Sequence, residues 1–337
     1  MVANQVAAIK KQLSKDINLS ILIAFTIVIV IGLQVMLAPK IFSENSLRSM
    51  SYQMPEFGFI ALAMMLSLLT GGIDLSVIAN ANLSGIIGAF FLTGAVFGAD
   101  SGIHPGMLIV LSIAVILLTS TFLGFINGFI IAKAAVPPIL ATLGTMLFYQ
   151  GVGMAITSGK GVVGFPKEFL AIGAGKIFGV PYIFIAFVVA AAIISVILSK
   201  TGLGKKVYLY GENSVATRFS AVNNEALIIK VYSMCGLLSG IASIIIISRV
   251  NSAKVGYGDT FVLQALLVGV LGGVSPTGGR GKVIGVTLGI FILQMLQSAF
   301  TLWQFTPYAK NLIWGSMLLI VMVVNYVMDK RVQTVKK

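Results

Sequence analysis

Charge is scarce in this 337-residue chain: Asp, Glu, Lys and Arg make up 10% of it, against about 25% in an ordinary soluble domain. Together with 58% hydrophobic residues and a mean hydropathy of +1.02, that shortage excludes a soluble fold and predicts an all-α polytopic membrane protein. Cysteine is almost absent. Cys235 stands alone inside an apolar run, so no intramolecular disulfide can form. His104 is the only histidine, without a second histidine or a cysteine nearby, which excludes a metal site of the usual kind. A nucleotide loop is missing too. Gly278-Gly-Arg-Gly281-Lys282 invites that reading, but Pro276 stands where the loop needs glycine and Val283 where Ser or Thr must follow the lysine. Any ATP hydrolysis therefore belongs to another chain, and no cofactor is expected on this one. Acidic residues are few, ten against 23 Lys and Arg, for a net charge of +13. The basic residues are scattered over short loops and not gathered into a stripe with aromatics, so no nucleic-acid partner is expected.

What is present is a series of apolar runs of bilayer length. They predict ten spans near 19–38, 56–70, 75–98, 106–132, 138–157, 181–199, 226–248, 261–273, 281–303 and 308–327, the second and eighth short. An even number of spans puts both termini on one side. The Lys/Arg bias assigns that side to the cytoplasm, with 15 of the 23 basic residues falling there. The chain then forms one transmembrane domain over 1–337, with cytoplasmic segments at 1–18, 200–225 and 328–337. Segment 1–18 fits a helix lying on the inner surface, or simply a solvated basic tail. The first span is too long for a signal sequence and is read as retained. Residues 39–55 read as an amphipathic connector at the outer interface. Loop 99–106 reads as a short external turn, and 157–181 as an external loop able to meet a soluble partner. Trp303, Tyr308 and Trp314 read as a partial aromatic belt.

Two glycine pairs interrupt these runs. Leu69-Thr-Gly-Gly-Ile-Asp-Leu-Ser76 and Val270-Leu-Gly-Gly-Val-Ser-Pro-Thr277 share a pattern, with Gly272 and Gly273 following Gly71 and Gly72 by 201 positions, and Gly85 and Gly88 matched by Gly285 and Gly289 at nearly the same offset. A helix broken inside a bilayer is tolerated only where its freed N–H and C=O groups face protein or a polar cavity. Paired interruptions in the two halves of a chain point to a transporter's central site. Asp74, an acid at membrane depth, either caps the third helix by accepting an N–H two or three residues on or meets the transported molecule. Ser76, Asn80 and Ser84 form one stripe on that helix. Thr142, Thr145 and Tyr149 share a face of the fifth span, with Tyr149 and Gln150 alternatively anchoring at the interface. Gln294, Gln297 and Ser298 lie on the ninth. The expected pathway therefore comprises Gly71, Gly72, Asp74, Ser76, Asn80, Ser84, Thr142, Thr145, Gly272, Gly273, Ser275, Gln294 and Gln297, with packing as the alternative for the polar stripes. Gly124-x-x-x-Gly128 reads as a close helix contact. Within 201–225, Ser214 to Ser220 can form a short helix capped by Asn213, exposing Arg218 and Phe219 for docking.

Three motifs in order, Gly71-Gly-Ile-Asp-Leu-Ser76, Gly211-x-Asn-x-x-Ala-Thr-Arg-x-Ser220 and Val270-Leu-Gly-Gly-x-Ser275 leading to Gly278-Gly-Arg-Gly281, resemble the permease subunit of monosaccharide ABC importers, the ribose and autoinducer-sugar group. The resemblance covers nearly the whole chain. It implies a bacterial inner-membrane subunit that pairs with a second permease copy or paralogue, two cytoplasmic ABC ATPases and an extracytoplasmic binding protein that delivers a small molecule. It implies ATPase coupling for Gly211, Asn213, Ala216, Thr217, Arg218, Phe219, Ser220 and Val222. Ala221 stands where the pattern favours glycine, and Val262 and Gln264 replace acidic residues of ribose-type members. Two other readings remain open: a nucleoside or branched-chain amino-acid permease of the same superfamily, or an ion-coupled secondary transporter using Asp74.

Overall fold

The computed structural model describes residues 17–97 and 104–335. The expected surface segment before residue 17, Asp100 of the external turn, and the last two lysines of the basic tail lie outside the described residues. Helices α1 (Ile17–Leu37), α2 (Glu44–Leu69), α3 (Val77–Leu92), α4 (Pro105–Lys133) and α5 (Pro138–Thr157) make the first half. Next come α6 (Lys167–Ala174), α7 (Tyr182–Lys200), α8 (Gly202–Glu212) and α9 (Ser214–Phe219). The chain ends with α10 (Asn224–Val250), α11 (Phe261–Leu271), α12 (Val283–Leu302) and α13 (Pro307–Val335). Four two-residue strands, β1 (Val162–Val163), β2 (Lys176–Ile177), β3 (Val180–Pro181) and β4 (Ser252–Ala253), form antiparallel pairs β1–β4 and β2–β3.

Among the described residues, eight helices are long and apolar enough to cross a bilayer. α3 and α11, of 16 and 11 residues, are shorter; the expected number of ten includes both. The chain is an all-α multi-pass membrane protein. α2, α10 and α12 are mostly buried, whereas α1, α4, α5, α7 and α13 turn most of their apolar surface outward, as helices that are hydrophobic all round do in lipid. Small residues let the centre close up. A Cβ on Gly124 would fall 2.3 Å from the Tyr232 carbonyl oxygen, and one on Gly128 2.7 Å from Ile229 Cα, so α4 lies directly on the α10 backbone.

Several boundaries differ from expectation. The connector at 39–55 is largely helix: Ser43 accepts the Ser46 N–H at 3.3 Å and starts α2 at Glu44, so the second span is long, not short. The third ends at Leu92, not 98, and is short, as is the eighth, α11, which was expected to be. Segment 157–181 is built, not merely a loop, with Phe165 and Phe169 buried. Trp314 is no belt residue; it is buried against Phe300, ring centroids 5.3 Å apart, while Tyr308 is exposed.

The two glycine breaks are one turn used twice. After α2, the Gly71 N–H donates to Leu68 O and the Gly72 N–H to Ser67 O; after α11, Gly273 donates to Val270 O and Val274 to Gly269 O. Each is the Schellman arrangement, which needs a left-handed residue just past the helix. Gly71 (φ 74°) and Gly273 (φ 81°) supply it. The structural offset is thus 202 residues, one more than the glycine pairs suggest, because only one glycine of each pair has to be left-handed. Gly85 and Gly285 are not equivalents: the first faces Ser243 of α10, the second the carbonyl of Gly272 itself.

The breaks then meet. Leu69 O, freed at the end of α2, accepts the Gly279 N–H at 3.0 Å. The end of α8 closes the contact, since a Cβ on Gly211 would sit 2.0 Å from Leu69 O and 2.3 Å from the Gly279 nitrogen. Tyr208 donates to Gly281 O at 2.8 Å, and Arg280 reaches Glu212 at 3.4 Å. Backbone therefore touches backbone from three segments. Gly211→Ala is expected to destabilise the fold by about 1–3 kcal/mol, the usual cost of overpacking, with Gly202→Ala, whose Cβ would meet nothing within 4 Å, as control. Thermal unfolding of the purified detergent-solubilised protein reads both, and equal midpoints would contradict the contact.

Candidate functional site

Between Gly72 and α3 the chain is irregular and ends in a turn at 75–76, and its polar groups are taken up locally. Asp74 Oδ1 accepts the Ser76 N–H at 3.0 Å and the Ser76 hydroxyl at 2.7 Å, and Asn127 Nδ2 of α4 donates to that hydroxyl at 2.7 Å. Thr142 Oγ1 of α5 lies 2.9 Å from Ile73 O and accepts the Leu75 N–H at 3.2 Å. Thr145 donates one turn back, to Thr142 O. Asp74, Ser76 and Thr142 are buried, so the break is tied on both sides to α4 and α5. Asp74 thus takes up the N–H of Ser76, the residue just before α3, and the helix itself begins without a side-chain cap bond.

The stripe on α3 is closed over in this structure. Asn80 Nδ2 donates to Ser120 O of α4 at 3.0 Å, and Ser84 donates to Ala81 O. Tyr149 donates to Leu123 O at 2.9 Å and is buried, so it packs inside and does not anchor at the interface. Some groups near the break stay unmatched. The Tyr232 hydroxyl and the Asn80 and Asn127 Oδ1 atoms are buried without a hydrogen-bond partner among the described residues, and a Cβ on Gly72 would come within 2.5 Å of that hydroxyl.

The thirteen expected pathway residues fall into three places. Gly71, Gly72, Asp74, Ser76, Asn80, Ser84, Thr142 and Thr145 surround the first break. Gly272, Gly273 and Ser275 form the second, where Ser275 Oγ sits 2.8 Å from Thr277 Oγ1. Gln294 and Gln297 are elsewhere. They line a cavity of about 250 Å³ with Gln53, Glu56, Phe57, Arg249, Phe261 and Gln264. Glu56 lies thirteen residues before Leu69, about 20 Å up α2 at 1.5 Å per residue, so the cavity opens in the half of the bundle away from α8. Arg249 Nη1 is 2.6 Å from Glu56 Oε1 and donates to Tyr52 O at 3.0 Å, and Gln294 donates to Gln53 at 3.1 Å. Sequence reasoning missed Gln53, Glu56 and Arg249. Their signal was available: two opposite charges at the ends of apolar runs, in a chain where intramembrane charge is costly. Gln264, where the family pattern departs, is also here.

At the other end, α9 forms as expected, with Asn213 Oδ1 accepting the Ala216 N–H at 2.9 Å. Thr217 is buried beneath it while Arg218 and Phe219 project, Phe219 being 87% exposed. Ala216 and Ser220 are exposed, and Val222 packs at the edge of the core. α8 was not expected; it places Gly211 in the three-way contact immediately before α9. Ala221 takes a left-handed conformation, φ 59°, which accounts physically for the pattern's glycine at that position.

The sequence matches a known permease family. Residues 46–322 match the family described as branched-chain amino acid transport system / permease component. The chain belongs to that family. The permease is 33% identical over 310 residues to the ribose import permease protein RbsC of Haemophilus influenzae, covering 90% of this chain and 93% of that protein. It is 32% identical over 303 residues to RbsC of Bacillus subtilis, covering 89% and 90%. It is 30% identical over 264 residues to the autoinducer 2 import system permease protein LsrC of Escherichia coli strain SMS-3-5, covering 78% and 74%. No solved structure matches it.

Two substitutions read this geometry. Asp74→Asn keeps an acceptor oxygen for Ser76 and is expected to unfold near the wild-type midpoint, whereas Asp74→Ala frees the Ser76 N–H and costs on the order of 1–2 kcal/mol. Equal losses from both would show that the carboxylate's charge, not its acceptor, matters. Ala221→Gly relieves a left-handed alanine and is expected to raise stability by roughly 1 kcal/mol, seen as a higher thermal midpoint; a lower one would contradict the strain.

Proposed function

We propose that the permease is the transmembrane subunit of an ATP-driven ABC importer for a monosaccharide or sugar-like molecule, working by alternating access. The observation that carries this reading is the three-way contact of Gly71, Gly211 and Gly278-Gly279. It joins α8, which leads into the projecting α9, to the first break and to the loop that follows the second, as needed if work done on α9 is to reach the membrane interior. The sugar class rests on relatives named for ribose and autoinducer 2 import. In this reading both termini and α8–α9 are cytoplasmic, in the inner membrane of a bacterium. The partners are two ABC ATPases, an extracytoplasmic binding protein that delivers the substrate, and a second permease copy or paralogue.

Within that frame, Gly211, Asn213, Ala216, Thr217, Arg218, Phe219, Ser220 and Val222 form the coupling element, with Phe219 seated in an ATPase groove. The passage runs from the glutamine-lined cavity toward the breaks, where Gly71, Gly72, Gly272, Gly273 and Ser275 provide its inner turns. Ser76, Asn80 and Ser84 can line it only if α3 separates from α4; otherwise, like Asp74, Thr142 and Thr145, they brace the first break.

Arg218→Glu combined with Phe219→Ala is expected to leave the membrane fold intact and to abolish transport-stimulated ATP hydrolysis in the complex reconstituted with its ATPase and binding protein. Unchanged coupling would remove the docking role. Asp74→Asn in the same assay retains substantial ATP-dependent uptake. Collapse of that uptake, with a pH gradient required by the wild type, would favour an ion-coupled carrier.

A further inference from the structure

The cavity in the half of the bundle away from α8 has the chemistry of a ligand site. Gln264 is 5% exposed, lines the space, and makes no side-chain hydrogen bond among the described residues. Gln297 also belongs to the lining, and its Oε1 is buried and unpartnered among the described residues. Gln264 thus turns an unpaired amide, donor and acceptor together, to the space, and the buried Gln297 oxygen costs about 1–3 kcal/mol without a partner, so the lining suits a group that both donates and accepts. The charged residues there neutralise each other: Glu56 and Arg249 are paired at 2.6 Å. Phe57 and Phe261, ring centroids 5.7 Å apart, close one side with apolar surface. At about 250 Å³ the space lies just below the roughly 300–1,000 Å³ of drug-sized ligand pockets, which suits a molecule of a few heavy atoms per face.

We propose that this cavity binds a neutral polyhydroxylated molecule of monosaccharide size, with Gln264 and Gln297 meeting its hydroxyls, the Glu56–Arg249 pair offering one acceptor edge and one donor edge, and Phe57 and Phe261 covering its C–H surface. Hydroxyls match the lining because each donates and accepts, as each amide does. A phosphate would leave the amide oxygens and Glu56 facing an anion. A zwitterionic amino acid would require the ion pair to open. The identification of the ligand as the transported molecule rests on the importer reading above; the site itself does not.

Val250 lines the same cavity and contributes no side-chain polar group, so it can report on occupancy. Val250→Cys, in a Cys235→Ala background and in nanodiscs, is exposed to a water-soluble methanethiosulfonate reagent with and without millimolar D-ribose, D-xylose, D-galactose or D-glucose. The expected result is that at least one sugar slows modification severalfold, L-leucine and inorganic phosphate do not, and adding Gln264→Leu abolishes the slowing. Protection by none of the four sugars, protection that survives Gln264→Leu, or protection by leucine or phosphate instead would each overturn the site. Uptake of the same sugars by the reconstituted importer is measured separately. Uptake without protection removes the site and leaves the function standing, while protection without uptake retains the site and removes the importer reading.

Discussion

The structure depends on a contact that side chains cannot make. Leu69 O, at the end of α2, has lost its helical partner, and in a membrane an unpaired carbonyl is expensive. It is satisfied by the Gly279 N–H from a loop two hundred residues away, and Gly211 comes so close that any Cβ would collide with both. That approach packs the end of α2 against the loop that follows the second break and brings α8 against both. It also sets where α9 leaves the bundle. The glycines at these positions serve different ends: Gly71 and Gly273 adopt left-handed backbone, whereas Gly211 is helical and only needs to be small.

Around the first break, polar residues do structural work before any other. Asp74 and Thr142 take up backbone groups that the broken helix exposes, and Asn127 of α4 braces Asp74 through the Ser76 hydroxyl. The glutamine-lined cavity is different in kind. There polar side chains line an open space of about 250 Å³, whereas the unmatched Tyr232, Asn80 and Asn127 atoms near the break are closed in. A span made only to pack would not carry Gln264 and Gln297 toward an open space, nor place Glu56 and Arg249 within it.

Much of this was legible in the sequence. The apolar runs and paired glycines gave the membrane class and the breaks, because bilayer length and left-handed turns demand particular residue types. The α9 helix followed from Asn213 as a cap. α8 was illegible since Gly202, Gly204 and Gly211 read as loop, although Gly204 and Gly211 allow the helix to lie against backbone. Glu44 to Met54 looked like a connector because its polarity hid a helix whose inner half is buried. The Glu56–Arg249 pair escaped because nothing local links residues so distant in the chain, and Trp314 misled because an aromatic near a span's end packs inward as readily as it anchors.

The Glu56–Arg249 pair also bears on how the permease meets an energised membrane. Each elementary charge crossing a potential of 100 mV gains or loses about 2.3 kcal/mol. A lining whose opposite charges stay joined, around a ligand that carries none, moves no net charge through the field. Passage through that half of the bundle is then electrically silent, so an energised cell and a depolarised one would load it equally well.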